Sequence, residues 1–495
     1  MKSPKQSRSW FLPIIIVIAT FLAFFAFRDK TLVLDEISTI NIVRDWHTML
    51  QIMWQDEGNM WLYYLIMHVW LKLGTTELVL RSLSVIFGIL TVPAIYALAE
   101  EIAGKIVARI SSILLTVNLY FIFYAQMGRS YSLALLLVTC ASYAFIKLMK
   151  DPSSKKYLIM YIIASILAIY TYLLVGLIIA VQYISLITVP KKTPWKPMII
   201  TALAIGIAMI PLILAPSFHG HQLDWLQKPK LVYLPMGYIL LAGDSLIVSV
   251  LYGFVMLGLL LSVKKELLTQ GWNRFILIWL GAWTMFPIVF GFLFSLVFKP
   301  IYEPESFNTV LPGFIILAAI GLEKLLNSHK WLFRVLLTLI VVFSLVRLGG
   351  WYSESLKMHV AIDNEEPRDW KELVEYIEDE RKPNDAVILY AYYIRPPFEY
   401  YLSRYPMAER PHILEISSGT YALGGGTVLP EPDFKVLDGL SNRFDRVWLV
   451  SSYNDTYWLG REHQWLEVET ELEKYFKVTR DVNFYEIRIQ LFENR

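Results

Sequence analysis

The chain of 495 residues holds a single cysteine, Cys140, which lies inside an apolar run. An intrachain disulfide is therefore excluded, and no Cys/His spacing of a zinc or cluster site exists. A glycine-rich phosphate loop between strand and helix is also missing, and Gly424-Gly425-Gly426 lacks the strand–turn–helix setting that would make it one. That stretch reads as a loop, and nucleotide-dependent chemistry on such a loop is excluded. Charge is scarce as well, at 18% of residues with a net charge of only +2, so a polyanion-binding class has no support.

Apolar residues are abundant instead. They make up 56% of the chain, and mean hydropathy is +0.47, against the roughly 45–50% usual for soluble domains. The excess is gathered into runs such as Phe11 to Phe27, Ile106 to Phe123 and Trp331 to Val346. Runs of that length suit helices crossing the hydrocarbon core, where an unpaired amide is too costly for any other local structure. The spacing predicts about eleven spans. They lie near 10–27, 79–98, 106–124, 129–148, 157–173, 174–189, 198–216, 246–263, 275–298, 308–326 and 331–348. The first run has no small-x-small cleavage site after it, so it is expected to be a membrane helix and not a removable signal.

Lysines and arginines orient these spans. Lys2, Lys5 and Arg8, then Lys147/Lys150/Lys155/Lys156, Lys191/Lys192/Lys196, Lys264/Lys265/Arg274 and Lys324/Lys330/Arg334, all fall on one side. That side is expected to be cytoplasmic, with the long first loop (residues 28–78) and the C-terminal domain outside. Within the loop, Ile37, Ile40, Val43, Trp46 and Leu50 recur at helical spacing, and Asn59 to Lys72 is rich in Trp and Tyr. Two interfacial helices are expected there. After Gly349-Gly350 the composition turns polar. An amphipathic helix around Trp370, Leu373, Val374 and Ile377 is expected, with strands over 386–390, 446–452 and 482–491 and a helix over 467–476. The fold class is thus an all-α polytopic membrane domain (1–350) followed by a small α/β soluble domain (351–495).

The candidate chemistry sits at the outer ends of the spans. Asp35-Glu36 opens the first interfacial helix. Partial desolvation there makes a carboxylate a better base, while the same pair also suits a helix N-terminus through its dipole. Asp56-Glu57 precedes the second interfacial segment and has the same two readings. Together the pairs leave a divalent metal open, although no defined metal motif is present. Gln126, Arg129 and Tyr131 lie in Tyr124-Ala-Gln-Met-Gly-Arg-Ser-Tyr131 between the third and fourth spans. An arginine at that depth fits a phosphate by bidentate hydrogen bonds, or snorkels to the interface. Lys299-Pro-Ile-Tyr302-Glu-Pro-Glu305 offers another cation and an aromatic after the ninth span. His219 and His221 read as polar loop residues.

These residues resemble a known family, the membrane glycosyltransferases that use polyprenyl-phosphate sugars. It includes the dolichyl-phosphate-mannose protein mannosyltransferases and the bacterial aminoarabinose lipid A transferases. The likeness covers most of residues 10–350. It rests on Asp35-Glu36 after the first span, on Trp61-Leu-Tyr-Tyr-Leu…His68-Val-Trp-Leu-Lys-Leu-Gly…Glu77…Arg81-Ser-Leu-Ser, on Asn118…Tyr124-Ala-Gln-Met-Gly-Arg-Ser-Tyr-Ser, and on Lys299-Pro-Ile-Tyr with Leu311-Pro312-Gly. Two places depart from the family pattern. Gly58-Asn59-Met60 stands where many members have His-Pro-Pro, and Glu305-Ser306 where many have Arg-Tyr.

The resemblance implies a GT-C-like fold and an inverting transfer of sugar from a polyprenyl-phosphate carrier to a protein, lipid or glycan hydroxyl on the outer face. It implies Asp35 as general base with Glu36 supporting it, and cations from Arg129 with Arg81 or Lys299 at the leaving phosphate. Asp56, Glu57, Gln126, Tyr131 and Tyr302 are then substrate-binding candidates. The implied partners are the lipid-linked sugar, membrane lipids and the acceptor, in a cell membrane. Two other classes stay open at this point: a polytopic lipid or sugar transporter, and an inactive member of the same fold.

Overall fold

A run of apolar residues in lipid has one way to pair its backbone, and residues 10–352 are mostly helical. The computed structural model describes residues 10–25, 31–189, 194–219, 228–268, 271–353, 355, 370–390, 394–407, 410–416, 433–452, 464–484 and 487–495. Contacts divide the chain into two units. One holds Met1–Arg28, Asp45–Gly220 and Leu226–Ala361, the other Asp29–Arg44, His221–Trp225 and Ile362–Arg495. The second unit thus includes a piece of the first loop, which the expected division at residue 350 leaves on the other side.

The first unit is a helical membrane domain. Its helices in chain order are α1 (Phe11–Phe24), then, past a helix α2 (Leu34–Val43) that belongs to the other unit, α3 (Trp46–Gln55), α4 (Trp61–Trp70), α5 (Glu77–Ala103), α6 (Lys105–Thr116) and α7 (Leu119–Ala125). They continue with α8 (Tyr131–Lys150), α9 (Lys155–Thr171), α10 (Val175–Ser185), α11 (Trp195–Leu214) and α12 (Tyr233–Leu241). The last four are α13 (Leu246–Leu268), α14 (Trp272–Val297), α15 (Leu311–Ser328) and α16 (Lys330–Tyr352). Among the described residues, 7 stretches are long and apolar enough to cross a membrane, or up to 8 if the bent pair α6 and α7 is one span. The other expected spans appear as the shorter helices α1, α9 and α10. Large apolar side chains cover the outside of this unit, among them Val17, Leu214, Leu261, Val297 and Val346. A surface of that kind is stable against lipid and not against water. The protein is a multi-pass membrane protein.

Three details shape one end of this domain. The expected span 106–124 is broken, with α6 and α7 meeting at 64°. Asn118 makes the break affordable: its Oδ1 accepts from Phe121 N–H at 3.0 Å and its Nδ2 donates to Leu241 C=O at 2.9 Å. Next, α7 lies close to α5, because a side chain on Gly88 would meet the Ala125 methyl at 2.8 Å. Finally, the first interfacial helix expected from the spacing is divided in two. Asp45 ends the run by accepting from Thr48 N–H at 2.8 Å as the N-cap of α3, and this bond holds its carboxyl below the ordinary range. At the opposite ends of α5 and α8, Glu101 accepts from Lys147 at 3.1 Å and from Lys150 at 2.8 Å.

The second unit is α/β. Strands β1 (Ala386–Leu389), β2 (His412–Glu415), β3 (Arg446–Ser452), β4 (Phe476–Phe484) and β5 (Ile487–Asn494) form one sheet in the order β2-β1-β3-β5-β4. The pairs of β1 with β2 and β3 are parallel, and β5 runs antiparallel to β3 and β4. Helices α17 (Trp370–Glu380), α18 (Arg395–Leu402) and α19 (Gln464–Glu473) accompany the sheet. The amphipathic reading of α17 holds, with Trp370, Leu373, Val374 and Ile377 all in the core. The single strand expected over 482–491 is instead the tip of the β4–β5 hairpin. The apolar alternation shifts phase between Phe484 and Ile487, where the chain reverses from β4 to β5.

Candidate active site

In the membrane unit the residues picked out from the sequence gather where α7 turns into α8. The turn is stitched to its neighbours by hydroxyls. Ser84 of α5 donates to the carbonyl of Arg129 at 3.0 Å, and its hydroxyl also meets Tyr63 of α4 at 2.9 Å. Arg129 itself is half-buried. Arg81 lies one turn before Ser84 on the same helix face and is buried. Tyr131 packs its ring edge-on to Tyr124 at 4.8 Å and Tyr172 at 6.1 Å, and its carbonyl accepts from Asn308 Nδ2 at 3.0 Å. The Tyr172 hydroxyl pairs with Ser306 at 2.9 Å and stands in the field of Glu305, Glu303 and Arg129. The 124–131 turn and the segment after the ninth expected span therefore meet around Tyr172, with Arg129 and the acids Glu303 and Glu305 beside it.

Other candidates have definite structural partners. Gln126 is buried and donates to the carbonyls of Ala23 at 3.2 Å and Phe25 at 3.1 Å, so its amide caps the end of α1. Tyr302 is buried, donates to Tyr233 C=O at 3.0 Å and packs on Phe292 and Phe307. It also lines an apolar crevice with Leu174, Leu177, Pro287, Gly291 and Ile301. Lys299 is half-buried just beyond α14, where Ser295 takes the Ile301 N–H. Asp56 and Glu57 are half-buried at the end of α3, and the Glu57 carbonyl accepts from the Trp61 indole at 2.9 Å. Asn59 accepts from Leu173 N–H at 3.0 Å, which ties the departure from His-Pro-Pro to the start of α10.

Tyr63, Ser84 and Ser306 enter the sequence reading only inside quoted stretches and without a role, and Tyr172 and Asn308 do not enter it at all. Each is a single neutral residue whose partner is distant in the chain.

The acidic pair Asp35-Glu36 belongs to the other unit. There the two side chains differ. Glu36 is 1% exposed and its Oε2 accepts from the N-cap Val33 N–H at 3.1 Å, satisfying a buried donor at the start of α2. Asp35 is exposed, and its carbonyl accepts from the Thr39 hydroxyl at 3.0 Å. Glu36 therefore does what the helix-terminus reading expects of an acid there, while the Asp35 carboxylate stays at the surface of its unit. Among the described residues no three His, Cys, Asp or Glu side chains gather to hold a metal ion. His221, the side chain of His219 and Gly424–Gly426 lie outside the described residues.

Comparison with known proteins bears on this arrangement. Residues 59–215 match the family described as dolichyl-phosphate-mannose-protein mannosyltransferase. No curated protein matches the chain in sequence. Among solved structures, ArnT from Cupriavidus metallidurans in the apo state is similar over 97% of both chains, with a TM-score of 0.63 and 14% identity. The same protein bound to undecaprenyl phosphate is similar over 98% of both, with a TM-score of 0.62 and 13% identity. The Archaeoglobus fulgidus oligosaccharyltransferase tethered with an acceptor peptide covers 99% of this chain and 74% of its own, with a TM-score of 0.56 and 11% identity. The match over 59–215 runs from the second interfacial helix to the seventh expected span and includes the Arg129 turn, and the fold is similar to that of ArnT along nearly the whole chain.

Proposed function

We propose that the chain transfers a sugar from a polyprenyl-phosphate carrier to an acceptor hydroxyl on the outer face of the membrane, with inversion at the anomeric carbon. The observation that carries this reading is the mannosyltransferase family match across the segment that holds Arg81, Gln126, Arg129 and Tyr131. The binding of undecaprenyl phosphate by a protein of the same fold supports the choice of donor.

In this mechanism Asp35 takes the proton from the acceptor hydroxyl as its oxygen attacks the anomeric carbon. The bond from that carbon to the phosphate oxygen breaks, and polyprenyl phosphate leaves with the electron pair. Arg129, with Arg81 or Lys299, neutralises the charge that develops on the phosphate. Glu36 holds the helix that carries Asp35. Asp56 and Glu57 take part in acceptor binding, Gln126 keeps the turn before Arg129 in place, and Tyr131 and Tyr302 shape its surroundings. The lysine-rich span ends face the cytoplasm, and the C-terminal domain is outside.

The test is turnover by purified protein in lipid, with a panel of radiolabelled polyprenyl-phosphate sugars offered together with peptide, lipid and glycan acceptors. One donor is expected to be consumed with stoichiometric release of polyprenyl phosphate. Asp35→Asn is expected to lower transfer by about 100-fold or more while thermal unfolding is unchanged, because the side chain is exposed. A transporter would move labelled lipid across the bilayer equally well in the variant, and that result would overturn the proposal.

A further inference from the structure

The unit that holds the C-terminal sheet also contains the helix that bears Asp35. We propose that Tyr401 is a positioning residue for Asp35, so that the C-terminal unit is a working part of the reaction. The proposal rests on the reading of Asp35 as general base.

The chain enters α2 through Thr31, Leu32 and Val33, all buried. A buried backbone N–H needs a partner, and the two next to the helix start are met in different ways. Val33 N–H is taken by Glu36, three residues on. Leu32 N–H is taken by the hydroxyl of Tyr401 at 2.8 Å, from a residue 369 positions away. The first bond sets the shape of the turn but is internal to it. The second ties the turn to the rest of the unit by a directional bond. Tyr401 is 1% exposed. Tyr400 packs edge-on to it at 4.9 Å and the Arg404 guanidinium lies over its ring at 4.6 Å. Its hydroxyl is thus held in one direction. Packing alone leaves α2 freer to slide, because Leu34 meets the apolar core at its edge and apolar contacts are not directional. Two residues separate the anchored amide from Asp35, and the Thr39 hydroxyl bond to the Asp35 carbonyl fixes the backbone on the other side.

The experiment compares wild type, Tyr401→Phe and Asp35→Asn, each full length in lipid, with turnover expressed per molecule that binds undecaprenyl phosphate. Tyr401→Phe keeps the ring and removes only the acceptor. Its kcat is expected to fall about 10- to 100-fold, as for a reacting group moved by a fraction of an ångström, with the KM for the donor unchanged. The acid limb of the pH–rate profile is expected to move with it, since the environment of the base changes. A fall explained entirely by loss of folded protein, or wild-type kcat in Tyr401→Phe while Asp35→Asn is inactive, overturns the positioning role and leaves the base assignment standing. Activity retained by Asp35→Asn overturns the base assignment itself, and the positioning role goes with it.

Discussion

Adjacent residues of one type can be separated by their hydrogen bonds. Glu36 and Asp35 are alike in sequence, yet one is 1% exposed and accepts from a buried N–H while the other is at the surface. Glu36→Ala removes the acceptor from a buried N–H, and a loss of about 0.5–2 kcal/mol is expected in the unfolding of the second unit, followed by circular dichroism. Arg129 invites the opposite kind of test. Arg129→Lys keeps the charge and loses the planar fork. It is expected to raise the KM for a lipid-phosphate donor and leave melting unchanged, whereas Arg129→Ala should cost about 1.5–3 kcal/mol of donor binding, measured by titration with undecaprenyl phosphate. The candidate residues most visible in the sequence were charged ones beside apolar runs. The roles of Asn59, Ser84 and Tyr172 were not legible, because a neutral hydroxyl or amide becomes informative only when its distant partner is known.

Helices were legible by length and hydropathy, and their breaks were not. The apolar run through 106–124 gives no sign of a 64° bend, since Asn118 and the neighbouring Val117 are the only local interruption and the capture of Leu241 C=O is a tertiary event. The close approach of α7 to α5 then depends on Gly88. Gly88→Ala is expected to cost about 1–3 kcal/mol through overpacking and to lower transfer in proportion to the shift of the Arg129 turn, read by thermal unfolding and turnover together. A second element-scale feature is the ion pair of Arg347 in α16 with Asp244 before α13. The guanidinium donates to the Asp244 carboxylate at 2.6 Å and to its carbonyl at 3.0 Å, with the side chains 5% and 0% exposed. Replacing one partner strands a buried charge. Arg347→Leu or Asp244→Asn alone should lose about 3–5 kcal/mol, and the two combined much less than the sum, as a double-mutant cycle of unfolding would report.

On the scale of the whole molecule, the proposed orientation is tested by labelling single cysteines. The single cysteine makes the test clean, because Cys140→Ser leaves a background without thiols. Ser153→Cys, in the turn between α8 and α9, is expected to react with an impermeant maleimide only after the membrane is opened. Ser441→Cys, in the C-terminal unit, is expected to react in intact cells, and the reverse pattern would overturn the proposed orientation. The same scale shows the largest gap between sequence and structure. A boundary near residue 350 follows from composition, which changes there. The return of Asp29–Arg44 to the C-terminal unit does not, because that segment carries the apolar spacing of an interfacial helix and its burial partner is over three hundred residues away.

What the chain's order of residues determined by itself was the class of environment each segment accepts. Long apolar runs admit only helices in lipid, and polar, mixed segments admit a folded α/β unit, because backbone pairing and apolar transfer are paid locally. What the tertiary structure decided was which residues share a neighbourhood: Arg129 with Tyr172 and the Ser306 segment, and Asp35 with the unit of Tyr401. Those pairings arise from hydrogen bonds and packing between segments far apart in the chain, and the free energy of such contacts has no local signature to read.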